Sequence, residues 1–567
     1  MKRKPLDAKE IENNIKVVVE EIAKQRDKQT GHIQNLTRIG VALSSINNLE
    51  KIFNLILDEA IAFTNADAAT IYKVSEDKKS LEFVLVFNES LKLRMGGTND
   101  PITWPQIPLY DKNGRPHLKY IVTNVYHKKR LLCFEDVYET RDYDISGTKK
   151  VDAQNNYRSK SMLTIPLMNH ENEVLGVLQV INALDRQGKV TTFKNDFIVM
   201  LKSLAAQAAI AMSNRKLIND LETLLLQFMH SIAKGIERKS KYSSNHIIRV
   251  STLADMFARK INADVSEKYR DTVFSENELK ELSMAGLMHD VGKIVTPEYI
   301  MDKSTKLEGV VDRIEIIKMR FKLFKTAIQL AVSELGEVAV IEPSKEWFPN
   351  VKLRNIDDIF RQLDFDLEFL TDVNTGKEYT ADDVIDRIAR IKNIVFNHAG
   401  ETWSLVTDEE YKYLVIRRGT LTSEERKVMN EHVQVTWEML SELSFPQKYQ
   451  NVALYAASHH EKLNGKGYPQ GLDAKKLPLQ SRILAIADIY EALTAADRPY
   501  KKGNKLSEAL KIMAELAKNK DIDAGLLDVL LDSELYLEFA QQYLRSDQID
   551  EIDIKTIKKI YHPELKY

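Results

Sequence analysis

The order of hydrophobic and polar positions changes along the chain. Apolar and β-branched residues alternate or cluster in 68–74 and 81–87, as is typical of β-strands. Two similar segments, 162–167 and 174–180, lie on either side of the polar residues 169–173, which predict a hairpin turn. The apolar segments after about residue 197 are typical of helices instead. The pattern therefore predicts an α/β region first and a helical region after it.

Helical spacing also predicts several helices around the strands. Residues 10–28 predict a charged amphipathic helix, and helical spacing resumes between 33 and 60. The segment 197–238 has no proline and no glycine before Gly235, which predicts one long helix. Four apolar positions in it follow steps of four, three and four residues, as in a coiled-coil seam, so we interpret it as a parallel dimer helix. The alternative is a helix that packs on its own domain. The seam positions are Leu217, Leu221, Leu224 and Phe228.

Composition narrows the class of protein. The 567 residues suffice for about three or four domains, 44% of them are hydrophobic, and the mean hydropathy is −0.33, as expected of a soluble globular protein. No run of about 18 uncharged apolar residues predicts a membrane span. The charged N-terminus predicts no secretory signal, and the net charge of −2 gives no basis for nucleic-acid binding. The single Cys133 excludes an intramolecular disulfide and favours the cytoplasm, so any metal must be held by histidines and carboxylates.

One constellation of residues indicates metal chemistry. His459 and His460 begin the segment HHEKLNGKGYP, and other histidines and aspartates lie in or beside apolar helical segments. Burying so many titratable groups without a cation is costly. Such donors suit Fe or Mn, or else Ni or Zn, and two ions close together generate hydroxide and neutralise a phosphodiester anion. The candidate ligands are His246, His289, Asp290, His432, His459, His460 and Asp488.

This constellation resembles the HD-GYP family of phosphohydrolases, whose usual substrate is the bacterial second messenger cyclic di-GMP. The resemblance covers about residues 220–307 and 416–535 and implies an all-α HD-type domain with two divalent metal ions per chain. It implies that Asp290 bridges the two ions. One ion would be held by His246, His289, Asp290 and Asp488, and the other by His432, His459 and His460.

The same resemblance implies substrate contacts. Lys293 matches the family lysine that contacts the substrate phosphate, so Asp290 and Lys293 are the candidate catalytic residues. The loop for which the family is named contains Tyr468 and Pro469, and a basic turn follows near residue 500. The candidate substrate-binding residues are Lys293, Lys462, Gly467, Tyr468, Pro469, Arg498, Tyr500 and Lys501.

The first part of the chain resembles a GAF sensory domain over roughly residues 30–215. Phe134–Tyr138 and Asn156–Leu163 are similar to segments of the GAF domains of cyclic-nucleotide phosphodiesterases, as is Asn182, although Ala183 stands where those domains have lysine. The resemblance implies an α/β fold in which helices flank an antiparallel sheet. A small-molecule or nucleotide ligand of this domain and a ligand-free dimerisation module are both open alternatives.

The sequence departs from the HD-GYP pattern at four points. Tyr242 stands where some members have the glutamate of a third metal site, so two ions are expected. Glu491 and Asn464 each stand where aspartate is usual. The largest departure is a predicted helical insertion at about 308–416, which would cap the site, mediate dimerisation or decorate the surface.

These observations predict a cytoplasmic, homodimeric, metal-dependent phosphodiesterase that converts cyclic di-GMP to pGpG, with further hydrolysis to GMP left open. One alternative is a receptor that binds cyclic di-GMP, or a diguanylate cyclase partner, without hydrolysis. Another is a hydrolase of a different cyclic dinucleotide. The predicted domains are an N-terminal helix (1–32), a GAF domain (33–196), a linker or dimer helix (197–238), an HD-GYP domain (239–535, with the insertion) and a C-terminal helical tail (536–567).

Overall fold

The structure is a computed structural model that divides into two compact units, Met1–Leu224 and Leu225–Tyr567. Most of the helix predicted at 10–28 lies outside the described residues, and so do Tyr242 and the predicted basic turn near residue 500. The described residues are 48–239, 245–263, 268–348, 352–376, 379–398, 400–495 and 503–564, together with 16, 19, 34, 37–43 and 46.

An antiparallel sheet organises the first unit, as the alternating segments predicted. Its strands are β1 (Ala66–Val74), β2 (Ser80–Asn88), β3 (Leu93–Met95), β4 (Ile107–Pro108), β5 (Leu132–Phe134), β6 (Met162–Met168), β7 (Val174–Leu184) and β8 (Val190–Thr191). The main path follows the order β3-β2-β1-β7-β6-β5, while β4 pairs with β2 and β8 pairs with β7. The predicted turn at 169–173 joins β6 and β7, which pair antiparallel.

Helices cover both faces of this sheet. Neighbouring residues of a strand point to opposite faces, so Ile71 and Tyr72 of β1 enter different hydrophobic clusters. Ile71 belongs to the same cluster as Ile56, and Tyr72 belongs to the same cluster as Val122 and Val125. The flanking helices of this region are α1 (Leu49–Thr64), α2 (Ile121–Lys128) and α3 (Ser146–Gln154).

The residues that resemble phosphodiesterase GAF domains bond to one another. Asn182 has a positive φ of 56°, and its side-chain amide donates hydrogen bonds to the hydroxyl of Tyr157 and the carbonyl oxygen of Arg158. Its side-chain oxygen accepts a hydrogen bond from the backbone of Lys160. Arg158 in turn pairs with Asp136, at 2.9 Å. These contacts give the motif a structural role.

One helix, α4 (Asn195–Lys239), spans 45 residues and corresponds to the long helix predicted at 197–238. The four seam positions lie on its surface, with exposed fractions between 53% and 64%. Among the described residues, α4 also has the length and composition of a membrane span, a test that core helices of soluble proteins pass as well. The exposed seam is therefore free to contact a second chain.

The second unit is built from helices around a large core that includes Phe257, Leu282 and Ile486. Outside 308–416, its helices include α5 (His246–Ala263), α6 (Glu276–Met288), α7 (Glu298–Met301) and those that follow the predicted insertion. Ile557 and Tyr561 of the predicted C-terminal tail join the same core. The helices that follow residue 416 are, in chain order, α13 (Ser423–Ser441), α14 (Val452–Ala457), α15 (Leu479–Thr494), α16 (Leu506–Lys518), α17 (Ala524–Asp532), α18 (Leu535–Tyr543) and α19 (Ile554–Tyr561).

The predicted insertion at 308–416 has a hydrophobic cluster of its own, in which Phe321, Phe324 and Leu363 are buried. It is mainly helical, as predicted, but it also contains a two-stranded hairpin that the sequence analysis missed. The hairpin strands have only four residues each, which is too few for alternation to distinguish them from a loop. In chain order the elements are α8 (Ile314–Leu335), α9 (Glu337–Ser344), α10 (Ile356–Asn374), α11 (Asp382–Lys392), β9 (Val395–His398), β10 (Glu401–Ser404) and α12 (Asp408–Leu414).

Candidate metal centre

Most of the candidate ligands lie at helix ends. At a helix end the chain can turn a side chain toward a common centre. A ligand inside a helix reaches that centre only if it lies on the face of the helix that is turned toward it. After α6 the chain continues as a short 3₁₀ turn, Val291–Val295, which carries Lys293. The positions at helix ends are His246 at the start of α5, His289 and Asp290 after α6, and His459 and His460 after α14. The positions inside helices are His432 in α13 and Asp488 in α15.

Gly292 permits the close approach of the 3₁₀ turn to α13. A Cβ atom at this position would lie 1.9 Å from the carbonyl oxygen of His432, so no larger residue fits without displacing the helix. The hydroxyl of Thr436 accepts a hydrogen bond from the backbone of Gly292 and donates one to the carbonyl oxygen of His289. This contact holds α13 against the residues that follow α6.

The structure brings six of the candidate ligands together as two groups of three. Within each group the ligand atoms all lie within 4.8 Å of one another. The first group is His246, His289 and Asp290, and the second group is His432, His459 and His460.

Asp290 turns one carboxylate oxygen toward each group. Its Oδ2 atom lies 3.3 Å from Nε2 of His289 and 3.6 Å from Nε2 of His246. Its Oδ1 atom lies 3.5 Å from Nε2 of His432. The seventh candidate, Asp488, places Oδ1 3.3 Å from Nε2 of His246 and so adjoins the first group. A carboxylate in the position of Asp290 can bridge two cations.

Hydrogen bonds leave the coordinating nitrogens of three histidines free. The Nδ1 atoms of His289, His432 and His459 lie 2.6–2.7 Å from backbone carbonyl oxygens, which assigns the proton to Nδ1. Their Nε2 atoms, and Oδ1 of Asp290, are buried without a hydrogen-bond partner among the described residues. Buried polar atoms are rarely left unpaired, and this tautomer presents Nε2 as a ligand. The donor set therefore fits divalent metal ions.

Burial keeps the histidines of the second group neutral. It lowers the pKa of His432, lowers the pKa of His459 well below its usual range, and lowers the pKa of His460 to about 4. A histidine must be neutral to coordinate a metal, so these three rings are in the required state at neutral pH.

The carboxylates in and around the first group make its surroundings favourable for positive charge. Burial acts to raise the pKa of Asp290, but the Lys293 ammonium and the neighbouring histidines hold it well below its usual range. Burial acts to lower the pKa of His246, but the surrounding carboxylates, led by Glu491, raise it well above its usual range. The first group is therefore an environment in which a cation is favoured.

Glu491 has a role that the sequence analysis did not assign. It is buried, its Oε2 atom contacts Nδ1 of His246, and its Oε1 atom accepts a hydrogen bond from Arg249 at 2.6 Å. A carboxylate on the far nitrogen of a ligand histidine orients the ring and increases its basicity. The signal was its position one helical turn after Asp488, on the same face of α15.

Glu461 holds the loop that contains Tyr468 and Pro469, a second role that was missed. Its buried carboxylate accepts hydrogen bonds from the backbone of Gln470, Gly471 and Leu472 at 2.7–3.0 Å. The ring of Tyr468 lies 5.0 Å from that of His460, between centroids. The loop thus lies against the second group, and the adjacency of Glu461 to the histidine pair was the available signal.

The structure places only some of the predicted substrate-binding residues at the metal centre. Lys293 lies in the centre, with Nζ 2.6 Å from Oδ2 of Asp290. Lys462 instead pairs with Asp521, at 3.0 Å. A Cβ atom on Gly467 would lie 2.4 Å from the backbone of Glu461, so close packing requires glycine there. Three further candidates lie outside the described residues: Arg498, Tyr500 and Lys501.

Family models identify both domains. A model described as a GAF domain matches residues 48–212, and two models described as an HD domain match residues 244–360 and 409–526. The two HD matches leave 361–408 between them, inside the predicted insertion. The predicted order, an N-terminal GAF domain followed by a helical HD domain, is confirmed.

Several phosphodiesterases match short segments of the chain. The cyclic di-GMP phosphodiesterase response regulator RpfG of Xanthomonas campestris is 37% identical over 125 residues, which are 22% of this chain and 32% of that protein. The 3'3'-cGAMP-specific phosphodiesterase 1 of Vibrio cholerae is 40% identical over 90 residues, 16% of this chain and 21% of that protein. A cyclic di-GMP phosphodiesterase of Thermotoga maritima is 35% identical over 104 residues, which are 18% of this chain and 28% of that protein. The chain thus matches a third or less of the length of each relative. Together with the GAF and HD matches, these relatives support the resemblance to HD-GYP proteins with an N-terminal GAF domain.

Proposed function

We propose that this protein is a metal-dependent phosphodiesterase that hydrolyses cyclic di-GMP to the linear dinucleotide pGpG or further to GMP. The position of Asp290, with one carboxylate oxygen toward each group of histidines, is the observation that carries the proposal. Two of the relatives described above are named as cyclic di-GMP phosphodiesterases, which supports the choice of substrate.

Each group of ligands would hold one divalent ion, Fe or Mn by preference and Ni or Zn otherwise. The first group with Asp488 would hold one ion, the second group the other, and Asp290 would bridge them. Such ions supply a nucleophile at neutral pH and neutralise charge on the phosphoryl oxygens. Lys293 pairs with Asp290 and would place its positive charge beside the reacting phosphate, while the loop at Tyr468 would cover one side of the second group.

Regulation and assembly form the rest of the proposal. The GAF domain would bind a small-molecule ligand and regulate hydrolysis through α4, whose exposed seam would pair two chains in the cytoplasm as a parallel dimer. A diguanylate cyclase is a further candidate partner, at the loop that contains Tyr468.

A second candidate substrate is 3'3'-cGAMP. A relative named for this substrate matches the chain at 40% identity, a value similar to those of the cyclic di-GMP phosphodiesterases. Both dinucleotides present the same phosphodiester to the metal centre and differ in one base. Residues remote from the ligand groups must therefore distinguish them.

Product analysis tests both candidates. Protein purified without oxygen, with its metal content measured, is supplied with Fe(II) or Mn(II) and either dinucleotide, and the products are separated by chromatography. We expect pGpG or GMP from cyclic di-GMP, and no product from Asp290→Asn. The matched control Asp271→Asn removes an exposed carboxylate of the same unit and should act as wild type. Normal turnover by folded Asp290→Asn would refute the proposed centre, and faster hydrolysis of 3'3'-cGAMP would reassign the substrate.

A further inference from the structure

A cleft of about 750 Å³ lies where the predicted insertion meets helix α13. The insertion contributes Tyr379, and the chain that leads out of it contributes Arg417 and Arg418. Helix α13 contributes Arg426 and Lys427. The cleft is shallow and open to solvent. The residues at 417–427 belong to the HD-domain match, but Tyr379 lies between the two HD matches, so this cleft depends on the insertion.

The walls of the cleft carry strong positive charge. Arg426 and Lys427 are exposed, and neither forms an ion pair with a carboxylate among the described residues. Arg417 is partly neutralised by Asp382, to which it donates a hydrogen bond. Cations of this density attract an anion, and guanidinium groups bind phosphate through paired hydrogen bonds.

The other lining groups fit a nucleobase. Tyr379 is 54% exposed, and the Arg418 guanidinium lies over one face of its ring, 5.5 Å from the centroid. An exposed aromatic ring beside arginine is a platform on which a base can stack. Ser423 and Asn430 line the same cleft and offer hydrogen bonds to a base edge or a ribose.

The cleft lies beside α13, the helix that also carries one residue of the second group. Asn430 lines the cleft, and His432 follows it by two residues in the same helix.

We propose that this cleft is a nucleotide-binding site in which Arg426, Lys427 and Arg418 bind a phosphate and Tyr379 stacks on the base. The nucleotide has two possible sources: the half of the cyclic dinucleotide that is not being cleaved, or a free nucleotide such as the GMP product. The first source rests on the proposed function, whereas the binding of a free nucleotide does not.

Equilibrium binding tests the site without catalysis. Full-length Asp290→Asn protein, treated with a chelator, is titrated with GMP and with cyclic di-GMP by calorimetry. Adding Arg426→Ala and Lys427→Ala should weaken the binding of at least one of these ligands tenfold or more, and Tyr379→Leu should weaken it as well. The control pair Lys322→Ala and Arg390→Ala removes the same charge from exposed positions of α8 and α11 and should have no effect. Unchanged affinities for both ligands in the cleft variants would overturn the proposal.

Kinetics with the wild-type ligand groups distinguish the two sources. If the cleft binds the distal half of the substrate, the Arg426→Ala/Lys427→Ala enzyme shows a KM for cyclic di-GMP at least tenfold higher. Its hydrolysis of bis(p-nitrophenyl) phosphate, which lacks a second nucleotide, stays unchanged. If the cleft binds free nucleotide, the KM is unchanged and only the affinity for GMP falls. A wild-type enzyme that hydrolyses neither compound would refute the proposed function, while the binding experiment would still decide the cleft.

Discussion

The ammonium group of Lys239 donates a hydrogen bond to the backbone carbonyl oxygen of Lys293, across an Nζ–O distance of 3.2 Å. It also donates to the carbonyl oxygen of Thr296, at 2.6 Å. Lys239 is the last residue of α4, and Lys293 pairs with Asp290 in the metal centre. The end of the long helix therefore holds the turn whose lysine contacts the proposed bridging carboxylate.

Replacing Lys239 by methionine should impair turnover without removing metal. The variant loses the bonds to the turn but no ligand atom, so we expect kcat to fall roughly tenfold to a hundredfold, as for other small displacements of reacting groups. Steady-state kinetics with cyclic di-GMP and metal analysis measure the two effects, and Lys239→Arg should restore part of kcat. The control Lys234→Met changes an exposed lysine of the same helix. An unaltered kcat in Lys239→Met would show that the contact does not position Lys293.

Gly292→Ala should separate α13 from the first group. The added methyl group would lie 1.9 Å from the carbonyl oxygen of His432, so the helix must move. We expect the free energy of unfolding to fall by roughly 1–3 kcal/mol or more, and metal binding by the second group to weaken. Thermal unfolding and metal analysis test this. In Gly235→Ala the new methyl group meets no atom within 4 Å, so this control should be neutral or stabilising.

Glu491→Gln should weaken metal binding by the first group. The carboxylate that contacts Nδ1 of His246 becomes a neutral amide, so the ring is a poorer ligand and the ion pair between Arg249 and Glu491 is lost. Changes of this kind cost roughly 10–100-fold in metal affinity. Competition with a chelating dye measures the affinity, and Glu508→Gln, in α16 outside the centre, is the control. Equal affinities of wild type and Glu491→Gln would contradict the orienting role.

The Arg320–Glu410 pair should stabilise the insertion in a pH-dependent way. Burial acts to raise the pKa of Glu410, but Arg320, at 2.6 and 2.9 Å, holds it below the ordinary 4.5. A carboxyl group with a lowered folded-state pKa contributes stability above its unfolded pKa and loses it as the pH falls through the folded one. Glu410→Gln should therefore lower the free energy of unfolding at pH 7, by roughly 1–3 kcal/mol, and by less near pH 3.

Urea unfolding followed by tryptophan fluorescence measures this difference, because Trp347 and Trp403 both lie in the insertion. The neighbouring Glu409 is exposed and pairs with Arg313, so Glu409→Gln should change the free energy by less than about 1 kcal/mol. A deficit of Glu410→Gln that is the same at both pH values would argue against an ionised pair.

Charges in the exposed seam of α4 should dissociate the proposed dimer. Leu221→Glu with Phe228→Glu would place four glutamates in a parallel interface, and buried like charges are strongly unfavourable. Sedimentation equilibrium should show a dimer for wild type and a monomer for the double variant. Asn219→Glu, on the opposite side of the helix, should stay dimeric. A wild-type monomer at micromolar concentration would exclude this interface.

Local patterns predicted the parts of the fold that depend on neighbouring residues. The strands around Ile71 and Leu178 followed from short apolar segments, and the long helix followed from a segment without proline and without glycine before Gly235. The hairpin Val395–Ser404 was missed because strands of four residues carry too little alternation to be recognised. The ligand residues were identifiable because histidine pairs and His-Asp steps are unusual beside apolar helices.

The sequence by itself determined which groups the protein can use: seven metal donors, a lysine beside Asp290, and an apolar seam along one helix. Only the tertiary structure decided that the two oxygens of Asp290 face different groups, that Glu491 orients His246, and that the insertion and α13 form a basic cleft. The physical reason is distance along the chain. Periodicity and capping act over a few residues, whereas Gly292 and Thr436 are 144 residues apart, and their contact arises only when remote helices pack.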